Sequence, residues 1–269
     1  VNIEAVARRT GVRAATLRKW EQRYQILRPE RTPGSHRRYS ERDVLRVEWL
    51  KARLAEGYRI GEAAALLGAP EELPGNDPAA LRAALADASM DGARPGFGAL
   101  LDECFALYAP GRAIDEVVTP TLRAIGERWE GAELSVADEH RASALVRRKL
   151  HALLEPQSSG GAKALLACAP GERHEIGLLC AGLVLQANGW DIVYLGPDTP
   201  TAQALELAAE LGCELVALSA TMDEHAARAD AELAELEHHF AGLSVLRGGA
   251  AYGGEAASAA VARLRARAA

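Results

Sequence analysis

The sequence predicts a multidomain chain with three architectures in series. These are an all-α winged helix-turn-helix with a β-wing, a four-helix bundle, and an α/β Rossmann-like (flavodoxin-like) parallel sheet. Three observations predict it. A basic opening stretch reads as helix, glycine turn, helix and wing; the middle reads as four amphipathic helices on short loops; the last part alternates strand and helix. A chain of 269 residues has room for more than one core. Boundaries are expected at 1–74, 75–156 and 157–269, because Pro74, Gly75 and Pro78 break the helical pattern in "LPGNDPAA" and "EPQSSGGAK" reads as a second linker.

Composition sets limits on function. The chain is 49% hydrophobic and 25% charged, ordinary for a globular protein. Its net charge of −6 hides an asymmetry: residues 1–74 hold 15 Lys and Arg against 10 Asp and Glu, the remainder 16 against 27. A basic head on an acidic body predicts that the head alone meets a polyanion. Cys104, Cys168, Cys180 and Cys213 are widely spaced without a CxxC, so buried free thiols in a reducing cytoplasm are expected. No run reaches the ~18 apolar residues of a membrane span and no secretory leader is visible, so the expected location is cytoplasmic, with no membrane partner.

In the head, "NIEAVARRTGV" opens a helix with Asn2 as N-cap and Ile3, Val6 and Ala7 at helical spacing. Gly11 supplies the turn, and "RAATLRKWEQRY" forms a second helix that shares a small core of Ile3, Val6, Val12 and Leu17. In this plan the second helix enters the DNA major groove, and its outer face carries Arg13, Thr16, Arg18, Lys19 and Arg23. "ILRPERTPGSHRRYS" reads as a hairpin wing turning at Pro33-Gly34 and bearing His36, Arg37 and Arg38. Ser40 and Asp43 have capping-box spacing at the start of the next helix, and "RIGEAAALLG" follows. Arg18, Lys19 and the wing arginines are expected on phosphate, which makes binding salt-dependent; Arg13 and His36 are the groove candidates. "VARRTGV", "TLRKWEQRY", "RTPGSHRRYS" and "DVLRVEWL" closely resemble the DNA-binding domain of MerR-family transcription regulators. The resemblance implies dimeric binding to a (pseudo)palindromic double-stranded operator.

In the middle, helices are expected at about 78–90, 95–108, 112–130 and 136–155. Leu81, Leu85, Phe97, Leu100, Leu101, Phe105, Val117, Leu122 and Ile125 would fill their core. In "GERWEGAELSVADEHRASALV", Gly131 opens the turn and Ser135 with Asp138 caps the fourth helix. The hairpin therefore returns Trp129 beside Glu139 and His140, an indole, a carboxylate and an imidazole at one bundle end. On its own, a tryptophan near a helix end is more often core than site; the joint placement with Glu139 and His140 brings the two readings level.

In the tail, strands are expected at 163–169, 191–196, 214–220 and 243–249, with helices at 174–188, 201–211, 223–240 and 254–267. Asn188-Gly189 ends the first of these helices, and no fifth strand is obvious, so one sheet edge is expected to be incomplete. Ligands of such sheets bind at the carboxyl ends of the strands, here "GERHEIG", "GPDTP", "SATMDEH" and "RGGAAYGG". The GxGxxG fingerprint after the first strand, a Walker loop and a Gly-x-Ser-x-Gly elbow are missing, which leaves nicotinamide, ATP and hydrolase readings without their parts. His174 sits at a strand–helix mouth, where an isolated histidine is ordinarily a hydrogen-bonded loop residue.

Glu172-x-His174-x-x-Gly177, Ser219 after the third strand and Gly248-Gly249 after the fourth together resemble the cobalamin-binding fold. That family's signature is Asp-x-His-x-x-Gly, Ser-x-Leu and Gly-Gly; here Glu172 replaces Asp, and Thr221 stands where Leu is usual. The resemblance implies that His174 is the lower axial ligand of cobalt and that Glu172 orients it through its other nitrogen. It also implies that the displaced nucleotide tail of the corrin threads beside Ser219, Thr221, Gly248 and Gly249.

Trp129, nine residues and then Glu139-His140, upstream of such a fold, is the pattern of a cap over a corrinoid's upper face. With the head, the whole chain resembles the MerR-family cobalamin-dependent light-sensing repressors (the CarH/LitR type). This implies adenosylcobalamin as cofactor, Trp129 against the adenosyl group, Glu139 and His140 bonding near it, and Val136 in the same pocket. It further implies Arg173 and Asp198 between protomers of a homo-oligomer, a dimer or tetramer in the dark. Photolysis of the cobalt–carbon bond would remove the group the bundle packs against, and oligomer and operator binding would be lost together. One position departs: light-sensing members commonly have a His after the Trp, and Glu130 is a poorer partner for low-spin cobalt. Two other readings stand beside this one. They are a MerR-type regulator sensing cobalamin supply or another tetrapyrrole chromophore, and a corrinoid methyltransferase subunit, for which no substrate-activating site is visible. No enzyme activity and no catalytic residue are expected.

Overall fold

In the computed structural model, Asn2 starts the first helix as its residue type predicts: its Oδ1 accepts from Ala5 N at 2.9 Å ahead of α1 (Ile3–Thr10). Gly11, at φ 71°, ends that helix in the left-handed conformation that glycine adopts without penalty. Residues 1–27, 29–31, 37–55, 57–68, 77–90, 96–154, 160–236, 240 and 242–268 are described; Pro33, Gly34, His36, Pro74 and Gly75 lie outside them. The chain divides into two units, Val1–Val146 and Arg147–Ala269.

The first unit begins with the head. After α1 comes α2 (Ala14–Tyr24), then the two-residue antiparallel strands β1 (Glu30–Arg31) and β2 (Arg37–Arg38). α3 (Glu41–Ala55) opens on a reciprocal cap in which Ser40 N donates to Asp43 Oδ2 (2.9 Å) and Asp43 N to Ser40 Oγ (3.1 Å). α4 (Ile60–Gly68) follows. Val6 and Leu17 are fully buried between these helices, with Ile3 and Val12 partly so.

The helical layer consists of α5 (Pro78–Ala88), α6 (Phe97–Leu107), α7 (Pro110–Arg112), a π-helical stretch (Ala113–Val118), α8 (Thr119–Glu130) and α9 (Val136–Leu153). The helix expected at 112–130 is thus one path from Pro110 to Glu130 with a widened turn inside it. Pro120 supplies a reason: it has no N–H to give Glu116, and its ring crowds that carbonyl. Leu85, Phe97, Leu100, Leu101, Phe105, Val117 and Ile125 are buried; Leu81 and Leu122 are partly buried. α9 crosses the division between the units.

The second unit holds β3 (Lys163–Cys168), α10 (Ile176–Ala187), β4 (Asp191–Gly196), α11 (Thr201–Glu210), β5 (Leu215–Ser219), α12 (Asp223–Leu236), β6 (Ser244–Gly248), a 3-10 turn (Ala250–Tyr252) and α13 (Ala257–Ala268). The sheet is parallel, in the order β4-β3-β5-β6. Leu165, Ala167, Val216 and Leu218 turn one face toward α11 and α12. Leu166 turns the other way: a Cβ on Gly182 of α10 would lie 2.7 Å from its Cδ2. The chain leaves β3 for one neighbour and returns to the other, so the crevice between β3 and β5 is the topological switch point where such sheets bind ligands.

The first helix of this unit begins at Ile176 rather than at 174. Ahead of it the N–H of His174 is bonded by the Glu172 carboxylate, and Glu175 is the N-cap residue.

Candidate functional site

At the switch point a carboxylate lies under an imidazole. Glu172 has no solvent exposure. Its Oε1 accepts from His174 N (2.8 Å) and from His174 Nδ1 (2.6 Å); its Oε2 accepts from Thr221 N (2.7 Å), Met222 N (3.2 Å) and His225 Nδ1 (3.3 Å). Burial by itself would raise its pKa, but the backbone N–H groups of His174 and Thr221 and then the two imidazoles outweigh that and hold the carboxyl at about 2. An ionised carboxylate only accepts, so Nδ1 of His174 carries a proton toward it, and Nε2 is the ring nitrogen that points away from the carboxylate's bond. The side chain of His174 is 66% exposed, so that nitrogen is accessible.

Backbone bonds fix the loop around this pair. Gly171 N donates to Asp198 Oδ1 (2.7 Å), and Asp198 N to Glu172 O (2.8 Å). Asp198, which the family resemblance implies lies between protomers, therefore has an intrachain role as well, held at φ 51°. Arg173 is exposed. Gly177 opens α10 with nothing within 4 Å of a built Cβ.

Ser219 is buried at the end of β5 and Thr221 half-buried beyond it. Gly248 has open space at its Cβ position, but Gly249 does not: at φ 101° a Cβ would lie 2.2 Å from Ala220 O. Only glycine lets the β6 loop approach the β5 loop this closely.

Two features escaped the sequence reading. His225 closes over Gly171, its ring 3.1 Å from a Cβ built there, and shares Glu172 with His174. Its only signal was membership of "SATMDEH" at a strand end. Beside His174, Glu175 accepts from Tyr194 OH at 2.5 Å and lies 3.7 Å from Arg147 Nε and 3.5 Å from His151 Nε2. No local spacing signals that cluster.

Among the described residues no three His, Cys, Asp or Glu side chains gather to hold a metal ion. A single accessible imidazole nitrogen suits a metal whose other positions a macrocycle fills, and the narrow Gly249 passage suits a bulky ligand near the backbone.

In the first unit, the turn after α8 is bonded around one carbonyl: Arg128 O accepts from Glu133 N (2.9 Å) and Leu134 N (3.2 Å). Ser135 Oγ accepts from Asp138 N (3.1 Å), as its spacing predicts. Trp129 and Val136, on the two sides of this turn, are 46% and 52% exposed. Glu139 accepts from Ser143 Oγ (2.6 Å) and lies 3.6 Å from His140 Nε2. The corner is pinned from below by Arg128, whose guanidinium donates to Ala86 O at 2.8 Å at the end of α5.

On the head, Arg13, Arg18, Lys19, Arg23, Arg37 and Arg38 are exposed and Thr16 is half-buried; His36 lies outside the described residues. Arg13 is the N-cap residue of α2, at the helix end expected to approach base edges. Arg18 pairs with Glu4 (3.3 Å) and Arg37 with Glu21 (2.8 Å), so both exchange an internal carboxylate for phosphate if they grip DNA.

Comparison with known proteins covers most of the chain. The MerR HTH family regulatory protein family matches residues 1–69, and two B12 binding domain families match residues 81–154 and 162–264. The chain is 36% identical to the HTH-type transcriptional repressor CarH of Myxococcus xanthus, over 93% of this chain and 88% of that protein. It is 35% identical to the HTH-type transcriptional repressor CarA of the same organism, over 81% and 76%. In fold it is similar to the monomethylamine corrinoid protein of Methanosarcina barkeri, with a TM-score of 0.55 over 70% of this chain and 96% of that one, at 22% identity.

Proposed function

The chain belongs to the MerR-type transcriptional repressors that carry B12-binding domains, and from that premise we propose that it is an adenosylcobalamin-dependent repressor that holds operator DNA in the dark and releases it after light. The observation that carries the cofactor part is the buried Glu172 carboxylate, which fixes the proton of His174 on Nδ1 and leaves Nε2 open. His174 would hold cobalt from below through that nitrogen, a partner whose basicity the carboxylate raises. Ser219, Thr221, Gly248 and Gly249 would line the path of the nucleotide tail, and Gly177 would leave room at the start of α10.

A bound adenosylcobalamin supplies a weak cobalt–carbon bond that visible light breaks and an adenosyl group broad enough to cover an indole. Trp129 and Val136 are the residues proposed to be covered in the dark, with Glu139 and His140 as polar neighbours. Covering exposed apolar area stabilises one state of the unit that also carries the head; uncovering it removes that bias. Arg13, Thr16, Arg18, Lys19, Arg23, His36, Arg37 and Arg38 would grip the operator, and Arg173 and Asp198 would lie between protomers of a dark dimer or tetramer. No residue is assigned a catalytic step.

The test mixes purified chain with adenosylcobalamin in darkness, then records the visible spectrum, operator retention and size-exclusion volume before and after green light. The proposal expects all three to change together. A spectrum that changes without any change in size or retention removes the light switch, and a chain left colourless by excess corrinoid removes the cofactor. A second reading, sensing of cobalamin supply, is favoured by the exposed Glu130 after Trp129, where a carboxylate is a poor cobalt partner. It predicts retention that follows corrinoid addition and ignores illumination.

A further inference from the structure

Helix α3 of the head lies against α6 of the helical layer, within the first unit. Arg42, in the first turn of α3, donates through Nε to Phe105 O (3.3 Å) and through Nη2 to Tyr108 O (2.8 Å). Both acceptors stand at the carboxyl end of α6, where the last carbonyls have no partner inside the helix and a guanidinium meets the negative end of the helix dipole. Two turns along α3, Trp49 is buried with its Nε1 3.5 Å from Glu103 Oε1, a long contact on the same side. The joint leaves Arg13, Lys19 and Arg23 exposed.

The acceptor at Tyr108 also begins the path toward the turn after α8. Pro110 follows two residues later, then the π-helical stretch, then α8 with Trp129 near its end. Arg112 of that path stacks over the Tyr108 ring at 5.2 Å. A π-helical turn inside an α-helix is uncommon and frequently accompanies a functional site.

We infer that Arg42 is a positioning residue for operator binding: by capping α6 it holds the recognition helix at a set orientation on the helical layer and in step with α8. This rests on the DNA-binding reading of the head and not on the corrinoid. The long separation in sequence, 63 and 66 residues to the two acceptors, is what gives one side chain this leverage.

The test uses the full chain without DNA or corrinoid. Spin labels are placed by Arg8→Cys on α1 and Arg123→Cys on α8, both exposed positions, while the four native cysteines are buried. Pulsed dipolar spectroscopy then reads the head-to-bundle distance. A single narrow distance is expected, with a broad distribution in Arg42→Ala and a partial return in Arg42→Lys, which keeps the charge but not the two-pronged reach. Operator affinity of Arg42→Ala should fall about tenfold while its non-specific binding stays the same. A broad distribution in the unsubstituted chain, or an unchanged narrow one in Arg42→Ala, overturns the inference. If Arg42→Ala loses its helical circular dichroism, Trp49→Phe with Glu103→Gln tests the same joint, and an unchanged distance there overturns it. A colourless chain would count against the corrinoid reading while the distances still report on the joint.

Discussion

The loop around Glu172 and the corner around Trp129 are built on opposite principles. In the first, a buried carboxylate collects five donors from two loops and the first turn of α12 before any ligand arrives, so its geometry is already set. In the second, a large indole and a valine stand nearly half exposed or more, and Glu139 and His140 of the following helix lie 3.6 Å apart with the His140 side chain 74% exposed. The difference teaches which of the two regions is organised in advance. A site that orients a metal ligand gains from rigidity; one that registers whether a group is present gains from surface whose burial changes.

Breaking the organised side should cost most. Glu172→Gln removes the charge that two imidazoles and three backbone donors face, and should destabilise the chain by about 3 kcal/mol. The sign with pH follows from its depressed pKa. The stabilisation is fully present above the ordinary value of 4.5 and is lost as pH falls toward about 2. Denaturant midpoints measured across that window should fall steeply for the native chain and less for Glu172→Gln; equal slopes would show that the carboxylate does not carry the effect. Next in size, His174→Ala should lower corrinoid affinity about 100-fold in a spectral titration. It should also lower stability by about 1.5 kcal/mol, since the buried Glu172 carboxylate loses one of its donors although the ring itself is largely exposed. A histidine-ligated spectrum surviving in this variant would move the cobalt ligand elsewhere.

Gly249→Ala should cost about 2 kcal/mol, through a strained φ and a clash with Ala220 O, read by thermal or denaturant unfolding. Trp129→Ala should have the smallest effect on the free chain, within about 0.5 kcal/mol, as for other exposed positions. Its effect should emerge only with ligand, as a reduced preference for adenosylcobalamin over hydroxocobalamin. Equal loss for both corrinoids would mean that Trp129 does not face the adenosyl group.

Much of the fold was legible because it depends on near neighbours. Asn2, Ser40 with Asp43, and Ser135 with Asp138 cap helices from within three residues, and each does so where its spacing predicts. The four strands of the sheet agree with their apolar runs to within one residue at each end. The pairing of Glu172 with His174 is also local, two positions apart, but it was expected from the family resemblance and not from spacing. The π-helical turn was not, although Pro120 marks it in retrospect.

Sequence by itself determined the order of elements, the caps, the basic head and the imidazole at the mouth of a strand, since each follows from residue type and spacing along a few positions. Only the tertiary structure decided that Thr221 and His225 complete the Glu172 cluster, that Asp198 locks Gly171, and that Arg42 caps a helix of another layer. Strand order brings β5, not the sequentially next β4, to the other side of β3, so the partners of that carboxylate come from about 50 residues away. Contacts of that length depend on how whole layers pack, and no local pattern of residues encodes them.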